Sequence, residues 1–207
     1  MILENILIYF VIIPLLMLAG LALCRNMNQI RTVMTVLSTI LLGLSVYLCV
    51  DFLALRAAGN TDPMLYMASW DWYTPLNIKL ALGVDGISVL MIMLSAIIVF
   101  AGTFASWKID PLPKNFFLWF ALLSMGVFGF FISIDMFTMF MFYETALIPM
   151  YLLIGVWGSG RKEYSAMKLT LMLMGGSAFL LMGILGIYFG SGATTMNINE
   201  IAAMDNI

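Results

Sequence analysis

The stretch IDMFTMFMFYETALIPMYLLIGVW, residues 134–157, decides how this chain is read. It is long and apolar enough to cross a bilayer, whose hydrocarbon core of ~30 Å takes about 20 helical residues. It nevertheless carries Glu144 near its middle and Pro149 five residues later. An ionised carboxylate at that depth costs roughly 3 kcal/mol even on the lenient insertion scales. The proline lacks an N–H and crowds the carbonyl of Thr145, the neighbour of the acid.

The surrounding composition agrees with a membrane setting. The chain is 63% hydrophobic and 10% charged, with a mean hydropathy of +1.07. Soluble domains carry about a quarter charged residues. The sequence therefore predicts an all-α polytopic membrane protein, one integral membrane domain over 1–207. Six spans are predicted, near 4–24, 32–54, 86–106, 116–134, 136–156 and 164–189. No Arg or Lys precedes the first span, so it lacks the basic start of a cleaved signal and is expected to be retained.

Two connections are informative. Residues 56–85 form a long loop with Trp70, Trp72 and Tyr73, residue types that favour the membrane–water interface. Ile78, Leu80 and Leu82 alternate there, which predicts a short interfacial strand or hairpin. Residues 107–115, WKIDPLPKN, hold two prolines and separate two spans. GIYFG, residues 186–190, is a GxxxG match, a weak signal for a helix contact.

Basic residues orient the bundle. Arg25, Arg31, Lys108, Lys114, Arg161, Lys162 and Lys168 follow spans one, three and five; only Arg56 and Lys79 lie on the other side. The positive-inside rule then puts the N terminus outside. Acids follow the opposite trend, with Glu4, Asp51, Asp62, Asp71, Asp85, Asp135, Glu200 and Asp205 outside.

The chemistry available is narrow. There is no His, and Cys24 and Cys49 stand far apart without a CxxC spacing. Haem, iron–sulfur and zinc sites draw on ligands scarce here, and GVWGSG at 155–160 has the wrong spacing for a nucleotide loop. Redox chemistry is thus expected in partners. Glu144 lies eight residues past Met136, ~12 Å into the membrane. It can hold a proton, or face a cation or water inside the bundle, and one proton converts either state into the other. A structural Glu bonded to a neighbouring helix is the alternative. Pro149 supports a polar site, because interrupted helices serve transporters at this depth, although a simple kink is the plainer reading. Lys168, about one turn inside span six, either links to Glu144 through water or snorkels to the headgroups. Asp135 is placed to cap the start of span five.

These residues also carry a resemblance. SIDMFTMFMFYETALIPMYLLIGVWG (133–158), with VDGISVLMIMLS (84–95) and SWK (106–108) before it, resembles the M-type subunits of proton-pumping NADH:quinone oxidoreductase, respiratory complex I. That family is related to subunits of multi-component Na⁺/H⁺ antiporters. The resemblance implies the first part of an antiporter-like inverted-repeat fold, with helix seven onward missing from these 207 residues. It implies that Glu144 and Lys168 serve proton translocation, supported by Pro149 and Asp135. Gly176 and Ser177 match the end of a helix-six motif, whose usual Tyr-Thr is replaced here by Met172-Leu173. It further implies a bacterial cytoplasmic membrane, other membrane-arm subunits as partners, and no nucleic acid. NADH, FMN, iron–sulfur clusters and quinone are expected in those partners, with no cofactor in this chain. Rival readings are a Na⁺/H⁺ antiporter subunit, a membrane-bound hydrogenase or ferredoxin oxidoreductase subunit, and a non-transporting scaffold.

Overall fold

In the computed structural model, residues 5–24, 26–73, 78–190, 192 and 195–203 are described. Glu4, Arg25 and Asp205 of the orientation argument lie outside these residues. Among the described residues, six helices are long and apolar enough to span a membrane. They are α1 (Tyr9–Leu23, entered through a 3₁₀ turn at Ile6–Ile8), α2 (Met27–Ala57), α3 (Gly86–Ala105), α4 (Pro113–Ile132), α5 (Met136–Trp157) and α6 (Lys162–Gly190). Two strands, β1 (Leu65–Tyr73) and β2 (Ile78–Val84), form an antiparallel pair between α2 and α3. A short helix α7 (Ile198–Ala202) follows α6.

Helix starts follow capping chemistry more closely than hydropathy. Asn26 and Gln29 form a capping box, so α2 begins at Met27, ahead of the apolar run. Pro113 occupies the first turn of α4, where its missing N–H costs nothing. Asp85 caps α3 by accepting the Ser88 N–H at 2.7 Å. Burial pushes its carboxyl up, but the hydrogen bonds from Ser88 and its neighbours win and hold it below the usual aspartate range.

The core fills the space between α1, α2, α3 and α4, around Phe10, Met17, Leu41, Ile92, Phe117 and Phe128. The Phe10 and Phe128 rings meet at a centroid distance of 5.5 Å. At one end of the bundle, basic side chains close helix C-termini. Lys114 Nζ donates to the carbonyls of Ala22 and Cys24 at 3.1 and 2.8 Å. Lys162 Nζ donates to Val156 O at 2.7 Å. Cations there meet the negative end of the helix dipole. The charge bias read from the sequence thus has a local structural use.

The opposite end is built from β structure. β2 does not show the alternating burial that Ile78, Leu80 and Leu82 imply: Ala81, Leu82, Gly83 and Val84 are all buried. The reason is the α4–α5 turn, whose Ile134 side chain packs onto Gly83. The α4–α5 turn lies against β2, with Ile134 N–H donating to Ala81 O at 2.9 Å. Beyond it, Met136 N–H donates to Met196 O at 3.0 Å and Ile198 N–H to Ile134 O at 3.2 Å. Residues 133–136 are therefore a short extended segment paired on both edges.

α5 sits unusually close to α4. A Cβ on Gly126 would lie 2.9 Å from Ala146 Cβ and 2.9 Å from Phe142 O; one on Gly129 would lie 2.2 Å from the Phe142 ring. Gly186 and Gly190 of the GxxxG match have open space around them, so neither glycine is a point of close helix approach among the described residues. Gly129→Ala should lower the unfolding midpoint in detergent, by about 1–3 kcal/mol of overpacking. Phe142→Ala in the same chain should recover part of that loss, as read by thermal unfolding of both variants.

Candidate functional site

Asp135 begins the site. Its Oδ1 accepts the N–H of Phe137 at 3.1 Å and of Thr138 at 3.0 Å, which caps α5. The side chain is 1% exposed. Thr138 Oγ1 donates to Lys79 O at 3.1 Å, tying the first turn of α5 to β2. Burial pushes the Asp135 carboxyl up, and the Thr138 and Phe137 N–H groups oppose that without cancelling it.

From this fixed start, α5 carries Glu144 ~12 Å along its axis. Glu144 is half-buried, and its Oε1 is buried without a hydrogen-bond partner. It opens on a cleft of about 440 Å³ between α5 and α6, lined by Glu144, Thr145, Leu147, Ile148, Tyr151, Thr170 and Met174. The Thr145 hydroxyl donates to Met141 O at 2.8 Å, and the Thr170 hydroxyl to Ala166 O at 2.9 Å. Each of these hydroxyl oxygens keeps lone pairs for a further donor. A carboxylate, two threonines and a tyrosine thus converge where water or a proton can be held.

α5 is an unbroken helix through buried Pro149, in place of the interrupted helix its proline suggested. A single missing N–H leaves the flanking hydrogen bonds in place, and the helix continues around it.

Lys168 stands elsewhere. It is exposed and does not line the cleft. The α5-facing row of α6 runs through Ala166, Thr170 and Ser177; Ala166 packs near Gly155 of α5. Lys168 is two positions from Thr170, hence about 160° around the helix. Within this chain the structure does not bring Glu144 and Lys168 together. Ser177 is buried and bonds Met174 O at 3.0 Å, while Met172 is exposed. The sequence pointed to Thr145 only through its carbonyl and did not point to Tyr151 or Thr170. Their signal is spacing: Thr145 and Tyr151 lie one and seven residues after Glu144, and Thr170 lies four after buried Ala166.

An acid with a buried, unbonded oxygen among six membrane-length helices invites comparison with known membrane proteins. Residues 133–207 match the family described as NADH:quinone oxidoreductase/Mrp antiporter, TM. The segment from the α4–α5 turn through α6 and beyond thus carries this antiporter-like domain. It is 32% identical over 136 residues to NAD(P)H-quinone oxidoreductase chain 4-2 of Synechocystis sp., covering 66% of this chain and 24% of the relative. It is 38% identical over 144 residues to NAD(P)H-quinone oxidoreductase chain 4, chloroplastic, of Lemna minor, covering 68% and 29%. The chain thus spans only 24% and 29% of the length of these relatives. Its fold matches a chain of respiratory complex I from Thermus thermophilus with a TM-score of 0.79 at 21% identity, over 95% of this chain and 39% of that one. The antiporter-like fold is therefore present in these six helices.

The raised Asp135 carboxyl sets a pH prediction. Its neutral form is favoured by folding, so wild-type stability should fall as pH rises from below the ordinary aspartate value through the raised one. Asp135→Asn keeps a capping oxygen and should flatten that slope. Asp135→Ala should flatten the slope as well and lie about 1 kcal/mol below Asp135→Asn, the loss of the cap. Thermal unfolding across the acidic range in detergent checks both.

Proposed function

We propose that this chain is part of a membrane-arm subunit of a proton-translocating NADH:quinone oxidoreductase, in which Glu144 is a station on the proton path. The observation that carries the reading is the buried, unbonded Glu144 Oε1 facing a cleft with the hydroxyls of Thr145, Tyr151 and Thr170 nearby. A carboxylate in a low-dielectric interior needs either a proton or an opposing charge, so its state follows the charge placed beside it. Quinone reduction in partner subunits would supply that changing charge. Those partners would hold the NADH, FMN, iron–sulfur and quinone chemistry. Lys168 would take part only by facing helices beyond these residues, since it lies off the Glu144 cleft. A bacterial cytoplasmic membrane is the location we propose; the relatives include a chloroplastic protein, and both are energy-coupling membranes.

The family name also includes Mrp antiporters, which keeps a cation/proton antiporter subunit as the second reading. It uses the same acid but answers to a Na⁺ gradient.

Glu144→Gln in the assembled complex should reduce proton uptake into inverted membrane vesicles by an order of magnitude or more, about 1.4 kcal/mol in free-energy terms, while the complex still assembles. Glu144→Asp should keep part of the activity. Uptake driven by NADH supports the oxidoreductase reading, and uptake that requires a Na⁺ gradient supports the antiporter. Unchanged uptake in Glu144→Gln rejects the role of this residue.

A further inference from the structure

The basic end of the bundle holds a second cleft, unrelated to Glu144. It has a volume of about 370 Å³, lies between α2 and the α3–α4 loop, and is lined by Asn28, Arg31, Thr32, Thr35, Val36 and Trp107. Two of its side-chain atoms, Arg31 Nε and Thr35 Oγ1, are buried without a hydrogen-bond partner. Arginine only donates, and the threonine hydroxyl can donate. A group that satisfies both must be an acceptor, and beside a guanidinium it is best an anion.

Arg31 is already set in place for such a ligand. Its Nη2 donates to Trp107 O at 2.8 Å, and its guanidinium lies 5.2 Å from the Trp107 ring centroid. Trp107 in turn stacks on Phe104 at 5.8 Å. The fork is held while its Nε edge stays unused, an arrangement suited to phosphate oxygens.

Depth selects the source of the anion. α2 has 31 residues, ~46 Å of helix against a hydrocarbon core of ~30 Å, so each end projects by ~8 Å if the helix is centred. Arg31 lies ~6 Å and Thr35 ~12 Å from the start of α2, on either side of the headgroup boundary. Below the cleft, Val36, Ile40, Val46, Tyr47 and Val50 form an exposed apolar stripe along α2. Gly43 leaves a shallow place in it, with open space where a Cβ would be. An acyl chain fits that stripe. Lys108 and Lys114 near the same end add positive charge.

We propose that this cleft binds the phosphate of an anionic phospholipid, with Arg31 and Thr35 as its donors and the α2 stripe as the track for one acyl chain. A soluble phosphate would satisfy the two donors but leave the stripe uncovered.

The test uses the intact complex, extracted in mild detergent from membranes containing phosphatidylglycerol, with bound lipid counted by mass spectrometry. Arg31→Gln should reduce one tightly held phosphatidylglycerol about tenfold or more, the loss of a charge-assisted hydrogen bond; Thr35→Val should reduce it about two- to tenfold. Arg161→Gln, a charge change at the same end but outside the cleft, should leave it bound. Equal loss in Arg31→Gln and Arg161→Gln, or no loss in Arg31→Gln, overturns the proposal. So does displacement of the lipid by inorganic phosphate alone, which assigns the cleft to a soluble anion. If Arg31→Gln fails to assemble, wild-type complex is loaded with photoreactive phosphatidylglycerol. Labelling within residues 28–40 upholds the site; labelling confined elsewhere, or a cross-link from this cleft to a partner's acidic side chain, overturns it.

Discussion

Four residues, 133–136, hold this structure in register. They leave α4, pair with β2 on one edge and with the segment before α7 on the other, and end as the capped start of α5. Near a membrane, backbone groups without partners are costly, and helix ends are where they collect. Here the costs are met by peptide-to-peptide hydrogen bonds together with the Asp135 carboxylate. The depth of Glu144 is then set by a fixed origin and a fixed rise per residue. The close approach of α4 at Gly126 and Gly129 fixes the rotation of the same helix.

The two ends of the bundle solve the same problem differently. One uses lysines, whose long chains reach the exposed carbonyls of α1 and α5. The other uses the hairpin and the extended turn.

The parts legible in the sequence were those governed by hydropathy and caps. Six apolar runs mark six helices, and Asp135 reads as a cap because it immediately precedes Met136 and the helix. Glu144 stood out because a carboxylate among Phe, Met and Leu has no local reason to be there. What the sequence hid was tertiary. Nothing in Ile78–Val84 announces that a turn fifty residues later will pair with its edge and lay Ile134 over Gly83, so alternation was expected where residues 81–84 are buried without a break. Likewise, Pro149 looked like a break, but a helix in a bundle tolerates one missing N–H. The offset of Lys168 from the cleft follows from helical phase, yet only the identification of Ala166 and Thr170 as the α5-facing residues fixes that phase.

The pairing of Met136 with Met196 has a consequence for biosynthesis. At about 5–20 residues per second, the segment that accepts the Met136 N–H emerges some three to twelve seconds after Met136 itself. During that interval the leading edge of α5 has β2 on one side and no pairing strand on the other. α6 must cross the bilayer before the second edge can close. The two helices that form the Glu144 cleft are therefore completed as a pair, and the cleft beside the acid exists only when the second of them has been inserted.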